Sequence, residues 1–190
     1  MQFPLKKLNI NYNHTRHEFL ENYQDGTEIP LDSHPGSFAF KRKNHIHEGV
    51  DLYCENGDEV LAIESGVIVN INHFTGEYIK SPWWNNTKCI MIEGDSGVFN
   101  YGELIPLDNL KVGDQIIEGQ LLGHVTTVLK EDKGRPMNML HLELYKHGTR
   151  EHLLSWDLDM EKPANLLDPT SILIELAHKN ERQPKNKYKK

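Results

Sequence analysis

Cysteine is scarce. The 190-residue chain has two, Cys54 and Cys89, and neither belongs to a Cys-x-x-Cys pair. A disulfide framework is therefore excluded, a reducing compartment is compatible, and both residues read as small buried apolar groups. Positive charge is also short. Lys and Arg number 21 against 28 Asp and Glu, giving a formal net charge of -7. A nucleic-acid partner is excluded on that balance, because phosphate contacts need Lys and Arg clustered over a folded face. The one basic cluster, Lys185 to Lys190, reads as a solvated tail. Long apolar runs are missing as well. No stretch is long enough to span a bilayer, and Met1 to Lys7 continues into polar sequence without a cleavage site. The expectation is a protein with no membrane partner and no secretory signal, cytoplasmic by default, with export by a non-classical route left open.

What is present fits one ordinary soluble domain, at 37% hydrophobic and 26% charged residues. Residues 1–35 are polar and broken by Pro4, Gly26, Pro30 and Pro35, with at most a short helix around Thr15 to Tyr23. They read as an arm, on which His14 and His17 are surface residues. Residues 36–178 form the expected domain and 179–190 the basic tail.

The domain has a β pattern. Asp51 to Cys54 is followed by a turn at Glu55 to Asp58 and by Glu59 to Ile63 and Gly66 to Ile71, the latter two runs rich in β-branched residues and bounded by Gly or Asn. Lys88 to Glu93 pairs through Gly94-Asp95-Ser96-Gly97 with Val98 to Tyr101 as a hairpin, and Glu103 stands just past its end. Val112 to Val125 holds two further short strands, Lys130 to Pro136 is a loop, and Met139 to Tyr145 is the last long strand. A helix is expected at Ser171 to His178, with Asp168 or Thr170 as N-cap and Ile172, Leu173, Leu176 and Ala177 on its buried face. Between Thr75 and Asn86 lie two adjacent tryptophans, Trp83 and Trp84. They are either a lid on a groove or a plug over the core.

Two stretches carry chemistry. In His47-Glu48-Gly49-Val50-Asp51, a histidine and an aspartate lie four apart with glycine between, so a bend can turn both side chains toward one point. In Met139 to Tyr145 alternation places Met139, His141 and Glu143 on one face and Leu140, Leu142 and Leu144 on the other. Two imidazoles and a carboxylate are a usual ligand set for a catalytic zinc, which leaves a fourth position for water. His47, Asp51 and His141 are the expected set.

These motifs, with Gly57-Asp58-Glu59-Val60-Leu61-Ala62 to Gly66-Val67-Ile68, Gly113-Asp114 and Gly119-Gln120-Leu121-Leu122-Gly123, occur in order and spacing across residues 36–146. The chain in this respect resembles the lysostaphin/LytM-type zinc metallopeptidases. The resemblance implies a mainly β fold: an antiparallel sheet bearing a groove, of the duplicated hybrid motif or barrel-sandwich type. It implies one zinc per chain on His47, Asp51 and His141, and a peptide substrate such as a peptidoglycan cross-bridge.

Departures from that pattern are specific. The family carries His-x-His in the last motif, where this chain has Met139, and Tyr-x-His-Leu earlier, where it has Tyr101-Gly102-Glu103-Leu104. Two readings follow. In one, Glu103 takes the proton of the attacking water and passes it to the leaving amine, Met139 only shapes the pocket, and Tyr101 or His45 steadies the oxyanion. In the other, Glu103 is a fourth ligand and the groove binds a peptide or glycan without cutting it. The hairpins also resemble those of biotinyl and lipoyl carrier domains, but no lysine sits at a hairpin tip.

Overall fold

The structure is a computed structural model and describes residues 1–6, 29–31, 34–132 and 137–182. The expected helix around Thr15 to Tyr23, His14, His17, the basic tail and residues 133–136 of the predicted loop lie outside these residues.

The chain is mainly antiparallel β. The short strand β1 (His45–Ile46) enters β2 (Val50–Tyr53), followed by β3 (Glu59–Leu61) and the long β4 (Gly66–Thr75). The hairpin β5 (Thr87–Gly94) and β6 (Gly97–Pro106) comes next, then β7 (Gln115–Ile116), β8 (Leu121–Val125), β9 (Met139–Tyr145), β10 (Trp156–Asp157) and β11 (Leu166–Leu167). The main sheet has nine strands with a central path β11-β9-β6-β5-β4-β7; β2 joins β9, and β8 joins both β3 and β6. It does not close into a barrel.

β6 is longer than the hairpin pattern suggests, and Glu103 lies inside it. Tyr101 pairs with Ile90 and Leu104 with Lys88, so three steps on β6 oppose two on β5. The extra residue forms a bulge at Gly102–Glu103, where Glu103 takes a left-handed φ of 66°. At this point β6 leaves β9, its last partner there being His141 opposite Gly102, and joins β8 through Leu104 and Val125.

Alternation supplies the core. Leu140, Leu142 and Leu144 of β9 pack with Val50, Leu52, Ile90, Ile92 and Phe99, all buried. The first residues belong to this core too. Phe3 and Leu5 are buried in it, and the segment is tied to β3 by Leu61 N–H donating to the Pro4 carbonyl at 2.9 Å. The C-terminal helix, α1 (Thr170–Arg182), is longer than expected. Asp168 Oδ1 accepts the Thr170 N–H at 2.9 Å; Leu173, Leu176 and Ala177 are buried as the spacing predicted, while Ile172 is only partly buried against the core. No helix among the described residues is long and apolar enough to cross a membrane.

Candidate active site

The backbone brings the two distant motifs into register. β2 and β9 are antiparallel neighbours with Asp51 directly opposite His141. His47 follows β1, whose pairing with β10 and whose neighbour Glu48, accepting the Trp156 N–H at 2.8 Å, hold the approach. The glycine in the motif is a steric requirement. A Cβ at position 49 would lie 2.4 Å from the Leu142 carbonyl oxygen and 2.9 Å from His141 Nε2, so only glycine lets the chain cross β9 here.

His47, Asp51 and His141 converge at one point, all buried, each offering an atom within 4.8 Å of the others. His47 Nε2 is 3.1 Å from Asp51 Oδ1 and 3.2 Å from His141 Nδ1, and His141 Nδ1 is 2.8 Å from the same Oδ1. Proton placement tests whether these atoms fit a cation. His47 Nδ1 donates to the Ser37 carbonyl at 2.8 Å, so in the neutral ring Nε2 is a bare lone pair. That lone pair faces a carboxylate oxygen, acceptor against acceptor. His141 Nε2 faces Glu143 Oε1 at 3.2 Å, which leaves Nδ1 as the inward atom. Each imidazole therefore has an acceptor for its outward N–H and presents its other nitrogen inward, the arrangement that orients histidine ligands in metal sites. The donor set fits a divalent cation such as zinc.

Electrostatics agree. Burial depresses His47 to a pKa of about 4, so it is neutral at physiological pH. Burial works against a charged Asp51, but the Arg42 guanidinium and the hydrogen bond from His141 hold its carboxyl well below the usual range. Burial likewise opposes an imidazolium at His141, yet hydrogen bonds to Asp51 and Glu143 outweigh it and keep the pKa well above 6.5. Arg42 donates to Asp51 Oδ2 at 2.5 Å and leaves Oδ1 for the inward point.

A cleft of about 270 Å³ opens beside this cluster, lined by Glu103, His141, Glu143, His45, Phe74, Trp83 and Trp84 among others. Glu103 reaches it from the bulge of β6. Its Oε2 is buried with no hydrogen-bond partner among the described residues, and burial together with the charge of Asp51 pushes its pKa up to about 8. Glu103 lies outside the three-residue ligand cluster. Trp83 and Trp84 form part of the cleft wall, and Trp83 is 59% exposed, which is incompatible with a core plug. Their loop is pinned by Thr75 Oγ1 donating to the Asn85 carbonyl at 2.7 Å, Asn85 Nδ2 donating to the Thr127 carbonyl at 2.9 Å and Lys130 donating to the Pro82 carbonyl at 2.7 Å.

Two expectations need correction. Tyr101 cannot steady an oxyanion. Its ring is fully buried in the core and its hydroxyl accepts the Ile63 N–H at 2.9 Å. Met139 pairs with Tyr53 at the start of β9 and is not among the cleft-lining residues. His45, by contrast, does line the cleft. Arg42 was missed in the sequence, and nothing in its local pattern points to Asp51. Glu143 was visible as a residue on the face of His141, and only the contact shows what it does: it accepts from His141, from Asn100 Nδ2 at 2.6 Å and from the Tyr145 hydroxyl at 3.0 Å.

A β-rich sheet with a His-Asp-His cluster beside an open cleft defines a metallopeptidase-like architecture. Residues 45–152 match the model of Peptidase family M23, more than half of the chain, and the chain belongs to that family. No curated protein matches it in sequence. Among solved structures it is similar to the antimicrobial peptidase lysostaphin from Staphylococcus simulans, with 21% identity and a TM-score of 0.51 over 78% of this chain and 49% of that one. It is also similar to LytU, with 18% identity and a TM-score of 0.52 over 82% of this chain and 91% of that one. The chain thus spans about half the length of lysostaphin. At these identities the likeness is one of fold, and the fold is the one expected from the motifs.

Proposed function

We propose that the chain is a zinc-dependent endopeptidase acting on peptide bonds of peptidoglycan, with Glu103 carrying the proton. The observation that supports this best is the pairing of an inward-facing His47, Asp51 and His141 set, each imidazole backed by an outward acceptor, with an unpartnered buried carboxylate on the adjoining cleft. When bound there, zinc supplies Lewis acidity toward the scissile carbonyl and the attacking water.

The chain's own groups do the rest. Glu103 accepts the proton of the attacking water at Oε2 and returns it to the leaving amine. Its raised pKa suits both halves of that exchange near neutral pH. Glu143 holds the His141 ring in the tautomer whose Nδ1 faces inward, and Ser37 does the same for His47 through Nδ1. Arg42 takes one oxygen of Asp51 and so aims the other. Trp83, Trp84 and Phe74 give the cleft apolar walls that shield the reacting bond from bulk water. The catalytic unit is residues 36–178, with Phe3 and Leu5 completing its core. A wall substrate places the work outside the cytoplasm.

A second reading is a zinc-stabilised module that binds a peptide or glycan without cutting it. The histidines that the lysostaphin pattern carries are Glu103 and Met139 here, which favours this reading; the position of Glu103 outside the ligand cluster disfavours the version in which it is a fourth ligand. Release of soluble fragments from dye-labelled peptidoglycan sacculi, with and without chelator, decides between the two. The peptidase account expects release that chelator abolishes and added zinc restores. Retention on sacculi with no release would establish the binding module instead.

A further inference from the structure

The cleft contains a histidine that the peptidase reading does not use. His152 lies between β9 and β10, and its half-buried ring lines the same cleft as Glu103, His141 and Glu143. It packs against Phe74 with ring centroids 5.1 Å apart, and Phe74 packs in turn on His141 at 5.2 Å. On its inner side His152 Nδ1 is 3.6 Å from Cys89 Sγ.

Chemistry at that contact favours one placement of the ring's proton. Cys89 is fully buried, and burial pushes its thiol pKa up to about 12, so it stays S–H at neutral pH. A thiol is a weak donor through S–H and a weak acceptor through sulfur, and the arrangement favoured here is the one in which the S–H donates to a bare Nδ1. Burial also lowers the pKa of His152 against the pull of Glu143, which keeps the ring neutral. The remaining proton then sits on Nε2, and no hydrogen bond engages Nε2 among the described residues. A rigid, uncharged N–H donor on a peptide cleft is suited to one partner above others, a backbone carbonyl oxygen.

We infer that His152 is a substrate-contacting residue whose Nε2–H donates to a carbonyl of the peptide in the cleft, with Cys89 holding the ring in that tautomer. The role rests on the peptide-cleaving or peptide-binding reading of the cleft. It is distinct from proton transfer, which stays with Glu103, and from ligation, since His152 lies outside the His47, Asp51 and His141 cluster.

Two measurements test it. Long-range proton–nitrogen NMR of the histidine rings should show His152 protonated on Nε2 and bare on Nδ1 at pH 7, with Cys89→Ala moving the ring toward a tautomer mixture. A ring protonated on Nδ1, or indifferent to Cys89→Ala, overturns the inference. Turnover and retention on dye-labelled sacculi are then compared for the wild type, His152→Phe and His152→Gln. Phe keeps the ring packing on Phe74 and loses the donor; Gln restores a donor. Loss of one hydrogen bond should weaken KM or retention about tenfold in His152→Phe, with metal content unchanged and partial recovery in His152→Gln. A His152→Phe protein equal to wild type would overturn the role of His152 alone. A wild type that neither cuts nor binds sacculi would overturn the peptide reading of the cleft, and the role of His152 with it.

Discussion

Glu103→Gln separates proton chemistry from ligation, and its effects can be worked from the structure. The carboxyl is buried, one oxygen has no partner, and its pKa lies near 8 where 4.5 is ordinary. Holding the charged form in the fold therefore costs at most about 5 kcal/mol, at roughly 1.36 kcal/mol per pH unit between those values. A folded pKa above the unfolded one favours the protonated fold. Its contribution to stability is fully present below pH 4.5 and is lost as pH rises through about 8. In chelator-treated protein, urea unfolding should show wild type losing stability between pH 5 and 8.5, on the order of a few kcal/mol, relative to Glu103→Gln. Gln is neutral throughout, so the part of the decline due to position 103 disappears. The His141 contribution, present below 6.5 and lost through its raised folded pKa, occurs in both proteins, and because its charge acts on Glu103 the comparison reads position 103 together with that interaction. With zinc restored, turnover of sacculi should fall by about a hundredfold or more in the variant, the usual worth of a general base, while metal content stays at the wild-type level. Equal pH dependence in the two proteins would refute the buried, unpaired state of Glu103. Undiminished turnover would refute its role as base.

Other consequences follow from single contacts. Glu143→Gln replaces the carboxylate facing His141 Nε2 with a weaker acceptor, and zinc affinity measured by chelator competition should drop about 10- to 100-fold. Gly49→Ala drives a Cβ to 2.4 Å from the Leu142 carbonyl; unfolding should show a loss of about 3 kcal/mol, with zinc content falling in step, because β2 must move off β9. His47 is already neutral above a pKa of about 4 whereas His141 holds a proton. In a Glu103→Gln background, apparent zinc affinity should accordingly rise about tenfold per pH unit between 6 and 7.5, one proton being displaced per metal; a hundredfold rise per unit would mean that both histidines are charged.

The sequence carried the fold where periodicity was enough. Leu140, Leu142 and Leu144 alternate with His141 and Glu143, and that alternation alone assigns the buried and cleft-facing sides of β9 along this stretch. Gly49 marked the crossing that lets His47 and Asp51 meet. What alternation could not show is where a strand breaks its own rule. The bulge at Gly102–Glu103 inserts one residue where β6 changes partners, and a non-glycine residue at positive φ has no local signature. A regular continuation of the strand would not have aimed Glu103 into the cleft as the bulge does. Tyr101 misled for a related reason, since a tyrosine beside a catalytic-looking motif is indistinguishable from one whose hydroxyl is spent on Ile63. Arg42, Glu48 and His152 act through partners between 9 and 108 residues away along the chain, so only the folded arrangement reveals them. Trp83 and Trp84 were undecidable between lid and plug because their exposure depends on hydrogen bonds from Thr75, Asn85 and Lys130 that pin the loop.

The most direct test of the account is metal content, measured by elemental analysis of protein purified without added metal, for wild type and His141→Ala in parallel. The account predicts about one zinc per wild-type chain and its loss in His141→Ala, with α1 and the sheet retained by circular dichroism. Wild-type protein without metal that also fails to take up added zinc, or a His141→Ala variant that keeps its full complement, would contradict it.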